Sequence, residues 1–214
     1  MYKRQVLDTK PSLTNTQEGL QDKYRIEKGE VTFDNVGFRY TGGENDVLQH
    51  ISFRANPGET IALVGATGSA KSSLVQLIPR LYDATSGEIR IDGIPVKNYN
   101  LDELHARIGM VLQKNELFTG TIIDNLRWGK PDASMEEIEE AARAAEAHDF
   151  ICSFTEGYNT LLGRGGINVS GGQKQRICIA RALLRKPKIL ILDDSTSAVD
   201  TETELKIRNN LNAM

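Results

Sequence analysis

No stretch of the 214-residue chain approaches the ~18 consecutive apolar residues that a membrane-spanning helix needs. No signal peptide is visible at its start. The chain is therefore expected to be soluble as written, and any membrane part of its work falls to another segment or chain. Cysteine is scarce. Cys152 and Cys178 stand far apart, match no metal-ligand spacing, and read as buried or semi-buried thiols of a reducing compartment. No run or stripe of basic residues exists, and a net charge of −3 with 26% charged residues is ordinary. That argues against nucleic acid as the main partner. Internal repeats and low-complexity segments are missing too. What remains suits one globular domain with a subdomain, long enough to bury a sizeable core.

Residues 1–28 are polar and poorly periodic and read as a linker. Residues 29–40 and 47–54 show strand-like alternation and are expected to pair as an antiparallel layer, followed by a turn at Asn56-Pro57-Gly58. A short apolar strand is expected over 59–64, a helix over 70–82, a strand over 87–92 ending in the Asp92-Gly93 turn, a short helix over 101–107, and a strand over 108–112 that delivers Gln113. From 118 to about 158 the pattern turns helical, with a capping box at Ser134 and Glu137.

Two stretches carry chemistry. The first is Gly65-Ala66-Thr67-Gly68-Ser69-Ala70-Lys71-Ser72, between the expected strand and helix. Backbone N–H groups of such a loop converge on phosphate oxygens, and the following helix start adds partial positive charge. Lys71 supplies a compact cation for the outer phosphates, and the Ser72 hydroxyl can ligate Mg²⁺. The strict pattern G-x-x-x-x-G-K-[ST] fails only at Ala70, which keeps its N–H but would cost ~1–2 kcal/mol if the position demands positive φ.

The second stretch is 168–200. Ser170-Gly171-Gly172 opens a helix that Lys186-Pro187 stops. An apolar run, Ile189-Leu190-Ile191-Leu192, then ends in Asp193 and Asp194. Such a run reads as a buried parallel strand bringing its acids to the carboxyl edge of a sheet, where open α/β sheets bind ligands. Asp193 is the candidate for a phosphate-bound Mg²⁺, and Asp194 for orienting or deprotonating an attacking water.

With both stretches in place, the chain resembles the nucleotide-binding domain of ATP-binding-cassette (ABC) transporters from about Glu30 onward. Ser170-Gly171-Gly172-Gln173 resembles the family signature, with Val169 where leucine is usual. Gln113 resembles the Q-loop glutamine, Ser197-Ala198-Val199-Asp200 the D-loop, and Tyr40 the aromatic that stacks on adenine. The segments around Leu117-Phe118-Thr119, Ala147-His148-Asp149 and Glu156-Gly157-Tyr158 are similar to the exporter group, and Val6 to Ser12 resembles its linker.

The resemblance implies an α/β P-loop NTPase fold with a mixed central sheet, an antiparallel β subdomain and a helical subdomain at about 114–185. It spans residues 29–214, after a linker at 1–28 from an absent membrane domain, and is expected to be incomplete at its C-terminus. ATP would lie on Tyr40, Val47, Gly65, Thr67, Gly68, Ser69, Ala70, Lys71, Ser72, Ser73 and Gln113, with Mg²⁺ at Ser72, Gln113 and Asp193. Lys71, Gln113 and Asp194 would be catalytic. Ser170, Gly171, Gly172 and Gln173 would meet the ATP of a second such domain in a head-to-tail dimer. The other expected partner is an exporter's transmembrane domain, at the cytoplasmic face of the plasma membrane.

Three departures qualify this. Asp194 replaces the usual catalytic glutamate and withdraws the carboxylate by ~1.5 Å. Arg164 stands where the exporter group has glutamate. The switch histidine should follow in a further strand beyond Met214, and His50, His105 and His148 are in the wrong places to replace it. Without that strand, marginal stability or an exposed sheet position is expected. Together these resemble the degenerate-site subunit of a heterodimeric exporter. The alternatives are an importer ATPase subunit, an ABC protein of DNA repair or translation, and a regulatory module without turnover.

Overall fold

The computed structural model describes residues 11, 13–193 and 198–214. These form two compact units, one ending at His105 and one beginning at Ala106. Among the described residues, no helix is long and apolar enough to cross a membrane.

In the first unit, helix α1 (Gln17–Leu20) precedes strands β1 (Val31–Phe38) and β2 (Leu48–Ala55). Helix α2 (Lys71–Gln76), strands β3 (Ser86–Ile91) and β4 (Ile94–Pro95), and helix α3 (Leu101–Arg107) follow. The strands make one antiparallel sheet in the order β2-β1-β3-β4. The expected pairing of the first two strands is thus present, and β3 joins them on the other side of β1.

Burial along β1 falls on Val31 and Phe33, then on Val36 and Phe38. The alternation slips by one because the register shifts between Phe33 and Val36, as a bulge requires. Asn35 takes the left-handed conformation there, at φ +48°. Gly87 is required beside this bulge, since a Cβ would collide with the Asp34 and Asn35 carbonyls. Phe33 stacks on its cross-strand neighbour Phe53, ring centroids 4.6 Å apart.

Two expectations fail in this unit. Residues 59–64 form no strand: Ile61 and Leu63 are partly open and Val64 is 95% exposed. An apolar run becomes a buried parallel strand only between ladder neighbours, and none pairs with it among the described residues. The helix expected over 70–82 stops at Gln76, with Leu77 as its C-cap. Pro79 explains this: it lacks an N–H and disfavours helix at the residue before it.

The second unit contains β5 (Ile108–Val111), β6 (Gly120–Thr121), α4 (Ile122–Arg127), α5 (Met135–Ala144), α6 (His148–Cys152) and β7 (Leu161–Leu162). After these come α7 (Gly171–Leu183), β8 (Ile189–Leu192) and α8 (Thr201–Asn212). β5 and β8 pair in parallel, from Ile108 opposite Ile189 to Val111 opposite Leu192. β6 and β7 form a short antiparallel pair.

The helical stretch expected over 118–158 is three helices, interrupted by Gly129, Pro131 and the Ala145–Ala147 turn. The capping box at Ser134 and Glu137 is present. A second one, Thr121 with Asp124, opens α4. Ile122, Leu126, Ile138, Ala142, Ile151, Leu162, Ile177 and Ile179 form a fully buried core. Lys186, at φ +48°, turns the chain out of α7 before Pro187. Cys178 is buried as expected, but Cys152 is exposed at the end of α6.

Asp92 ties residues 27–30 to the β3–β4 turn. Its carboxylate accepts the N–H groups of Glu27, Lys28 and Glu30 at 2.9–3.0 Å. Burial alone would raise its pKa, but these backbone bonds together hold it below the usual carboxylate value. The stabilisation is present above the unfolded pKa of about 3.9 and is lost as pH falls through the lower folded value. Asp92→Asn keeps a residue that tolerates φ +50°. It is expected to cost about 1–2 kcal/mol at pH 7, measured by urea unfolding, with the deficit shrinking as pH falls below about 4 and gone only below the lowered folded pKa.

Candidate functional site

The phosphate loop of the first unit runs from Gly65 to α2. A Cβ on Gly65 would meet the Ser69 hydroxyl, which would have to turn away. Gly68 sits at φ +84°. Ser69 N–H closes the turn on Ala66 O at 3.1 Å, and Leu74 N–H is bonded back to Ala70 O at 3.0 Å. The N–H groups of the first helical turn, at Lys71, Ser72 and Ser73, have no intrahelical carbonyl to reach. The Lys71 ammonium lies across the loop, donating to Gly65 O at 2.6 Å and Ala66 O at 3.0 Å. Ala70 is the residue in front of this helix, and it is left-handed, at φ 63° and ψ 21°. The departure noted in the sequence therefore falls on a position that does demand positive φ.

Tyr40 follows the end of β1. Its hydroxyl lies 2.8 Å from Ser73 Oγ, at the third position of α2. This brings the expected base-stacking residue and the expected phosphate helix into direct contact. Val47, half-exposed, donates its N–H to Phe38 O at 2.7 Å. Thr67 is exposed at the tip of the loop.

In the second unit, the parallel register of β5 and β8 carries Asp193 and Gln113 to the same carboxyl edge. Asp193 N–H bonds to Val111 O at 2.9 Å, and Gln113 lies two residues beyond Val111. Asp194 and Ser197 lie outside the described residues. At this edge Gln113 and Asp193 offer amide and carboxylate oxygens, hard donors of the kind that suits Mg²⁺, and Ser72 in the first unit offers a hydroxyl of the same kind.

The Ser170–Gln173 segment forms the third capping box among the described residues. Ser170 Oγ accepts from Gln173 N–H at 3.2 Å, and Gln173 Oε1 accepts from Ser170 N–H at 2.9 Å. A Cβ on Gly172 would sit 2.7 Å from Ala198 O, so only glycine admits the chain segment before α8. Gln175, buried in α7, accepts the Ala198 N–H at 3.0 Å. Asp200 caps α8, and the Thr203 N–H and hydroxyl hold its carboxyl below the usual range. Gln175 was not singled out in the sequence, since a lone glutamine within a helical pattern carries no signal of its partner.

The three histidines have local partners: Asn35 Oδ1 for His50, Pro79 O for His105 and Tyr158 OH for His148. Arg164 is exposed, in a short turn with Gly165 at φ +67°.

Residues 48–197 match the ABC transporter family. The chain belongs to that family. An uncharacterized ABC transporter ATP-binding protein of Bacillus subtilis (strain 168), YfiB, is 54% identical over 179 residues, covering 84% of this chain and 31% of that protein. Multidrug resistance protein 1 of Entamoeba histolytica is 49% identical over 211 residues, covering 96% of this chain and 16% of that one. The structure of a bacterial Atm1-family ABC exporter with ATP bound superposes over 100% of this chain and 37% of its own, with a TM-score of 0.91 and 36% identity. The chain thus spans under a third of the length of these two curated relatives. The exporter-type ABC resemblance and the P-loop NTPase fold read from the sequence are borne out.

Two substitutions probe this ABC geometry. Ala70→Gly removes a left-handed cost of ~1–2 kcal/mol and adds ~0.4–1 kcal/mol of unfolded-state entropy. A net gain of about 0.5–1 kcal/mol, a few degrees in thermal midpoint, is expected by calorimetry. Gly172→Ala forces a methyl against Ala198 O and is expected to cost about 1–3 kcal/mol in urea unfolding.

Proposed function

We propose that this chain is the ATP-binding and ATP-hydrolysing domain of an ABC exporter, working at the cytoplasmic face of the plasma membrane. We further propose that it pairs with a different ABC domain and carries the weaker of the two hydrolytic sites. The observation that carries the first part is the likeness over the whole chain to an exporter with ATP bound, at 36% identity.

Two domains sandwich two ATPs, each between one phosphate loop and the other domain's signature. The loop N–H groups and Lys71 bind and orient the outer phosphates. Tyr40 stacks on adenine, beside Val47. Ser72, Gln113 and Asp193 would hold Mg²⁺, which supplies charge neutralisation across the phosphate oxygens. Ser170 Oγ already accepts the Gln173 N–H, so its own O–H is left to donate to the partner's γ-phosphate. Asp194 takes the proton of the attacking water. Its carboxylate is withdrawn by ~1.5 Å relative to glutamate, and a misplacement of about 1 Å can cost ~10²-fold in rate. An exposed Arg164 suits contact with a membrane domain.

A second reading, a nucleotide-binding regulatory module without turnover, is favoured by the left-handed Ala70 in the phosphate loop. ATPase assays with and without a partner domain separate the two. In the paired complex, Asp194→Glu is expected to raise own-site turnover about 10²-fold, while Ser170→Ala lowers turnover at the partner's site only. A homodimer turning over at rates typical of the family, and indifferent to Asp194→Asn, would sink the weakened-site reading.

A further inference from the structure

We propose that Tyr82 and Ser73 are positioning residues for Tyr40, fixing its ring as a platform for the nucleobase at a set distance from the phosphate loop. This rests on the reading of Tyr40 as the base-stacking residue. Tyr40 stands two residues beyond β1, 37% exposed, where a free ring would be expected to swing. Three contacts hold it. Its hydroxyl lies 2.8 Å from Ser73 Oγ, and Ser73 is buried in the first turn of α2. Its ring stands edge-on to Phe38, at 4.7 Å and 76°, and to Tyr82, at 5.2 Å and 89°. Phe38 and Tyr82 also touch, at 5.5 Å. Phe38 belongs to the core, 2% exposed, so it would be kept whatever the site did.

Tyr82 is different. It is 39% exposed, is no part of the core, and yet sits in a bend that is itself clamped. Buried Arg80 donates to both oxygens of Asp83, through Nε at 2.7 Å and Nη2 at 3.2 Å, across the residues that carry Tyr82. A ring in a bend braced by an ion pair between buried Arg80 and half-exposed Asp83, and set perpendicular to Tyr40, is placed to hold Tyr40.

The physical consequence is preorganisation. An exposed tyrosine gives up the freedom of two χ angles when a base stacks on it, and a ring already fixed avoids that loss. The Ser73 bond adds a second effect. It joins the base platform to the helix that starts at the phosphate loop, so a ligand gains fully only when its base and triphosphate are the right distance apart.

The test compares ATP with inorganic tripolyphosphate, both with Mg²⁺, by titration calorimetry on the purified protein. Tyr82→Leu, Tyr40→Phe and Ser73→Ala are each expected to weaken ATP about 3–10-fold. Tyr82→Leu and Tyr40→Phe leave tripolyphosphate unchanged. The Tyr40→Phe/Ser73→Ala double variant should be no weaker for ATP than the worse single one, because one bond is lost either way. Tyr40→Phe leaves all three rings in place and serves if Tyr82→Leu does not fold. The proposal is overturned if Tyr82→Leu and Tyr40→Phe leave ATP affinity unchanged, or weaken both ligands equally, while Tyr40→Ala still weakens ATP selectively. If Tyr40→Ala also has no selective effect, the base-stacking reading itself fails.

Discussion

The second unit depends on the burial of α7. Ile177, Ile179 and Ala180 are fully buried, Cys178 and Leu183 nearly so, and the side chains of α4 and α5 close around them. A helix so enclosed still leaves its first N–H groups without carbonyls. Ser170 and Gln173 satisfy two of them reciprocally, and the buried Gln175 side chain accepts the Ala198 N–H. The end of α7 that carries the signature is therefore also the end that stabilises the helix. Capping does not use up the Ser170 hydroxyl, because a hydroxyl can accept from one side while donating to another.

The bare side chain of Gly172 extends this economy. It lets the Ala198 carbonyl approach α7, so the segment ahead of α8 is held by the same few residues that would meet a nucleotide. Asp200 then starts α8 with its own cap. The start of α7 and the segment ahead of α8 thus pack on each other, through the Gly172 and Ala198 backbones and the Gln175 side chain.

Much of this was legible in the sequence because it rests on local chemistry. Ser134 with Glu137 is a pattern three residues long, and so is Ser170 with Gln173; neither needs knowledge of distant contacts. Lys186-Pro187 marks the end of α7 for a covalent reason. The strands at 108–111 and 189–192 are plain apolar runs, and their parallel pairing puts Gln113 and Asp193 at one carboxyl edge, although Ile191 alone of the second strand is buried rather than the whole run. What was not legible depended on partners. The run at 59–64 has strand composition, but a strand is a relation between segments, and composition does not supply the neighbour. Pro79 was a readable stop for α2 that the apolar spacing of Leu74, Leu77 and Ile78 masked. Gln175 and Tyr82 matter through Ala198 and Tyr40, residues 23 and 42 positions away along the chain.

Lys71 gives the phosphate loop an internal occupant. Its ammonium is satisfied by two of the loop's own carbonyls, and bonds of that kind, with one charged member, are among the stronger ones in a protein. A phosphate does not meet a bare cation there; it must win an exchange. The loop's affinity for any anion is therefore a difference between two well-made arrangements of the same side chain. Weak anions such as chloride or acetate should lose that exchange, so the self-bonded lysine acts as a threshold that only a multiply charged, correctly spaced ligand crosses.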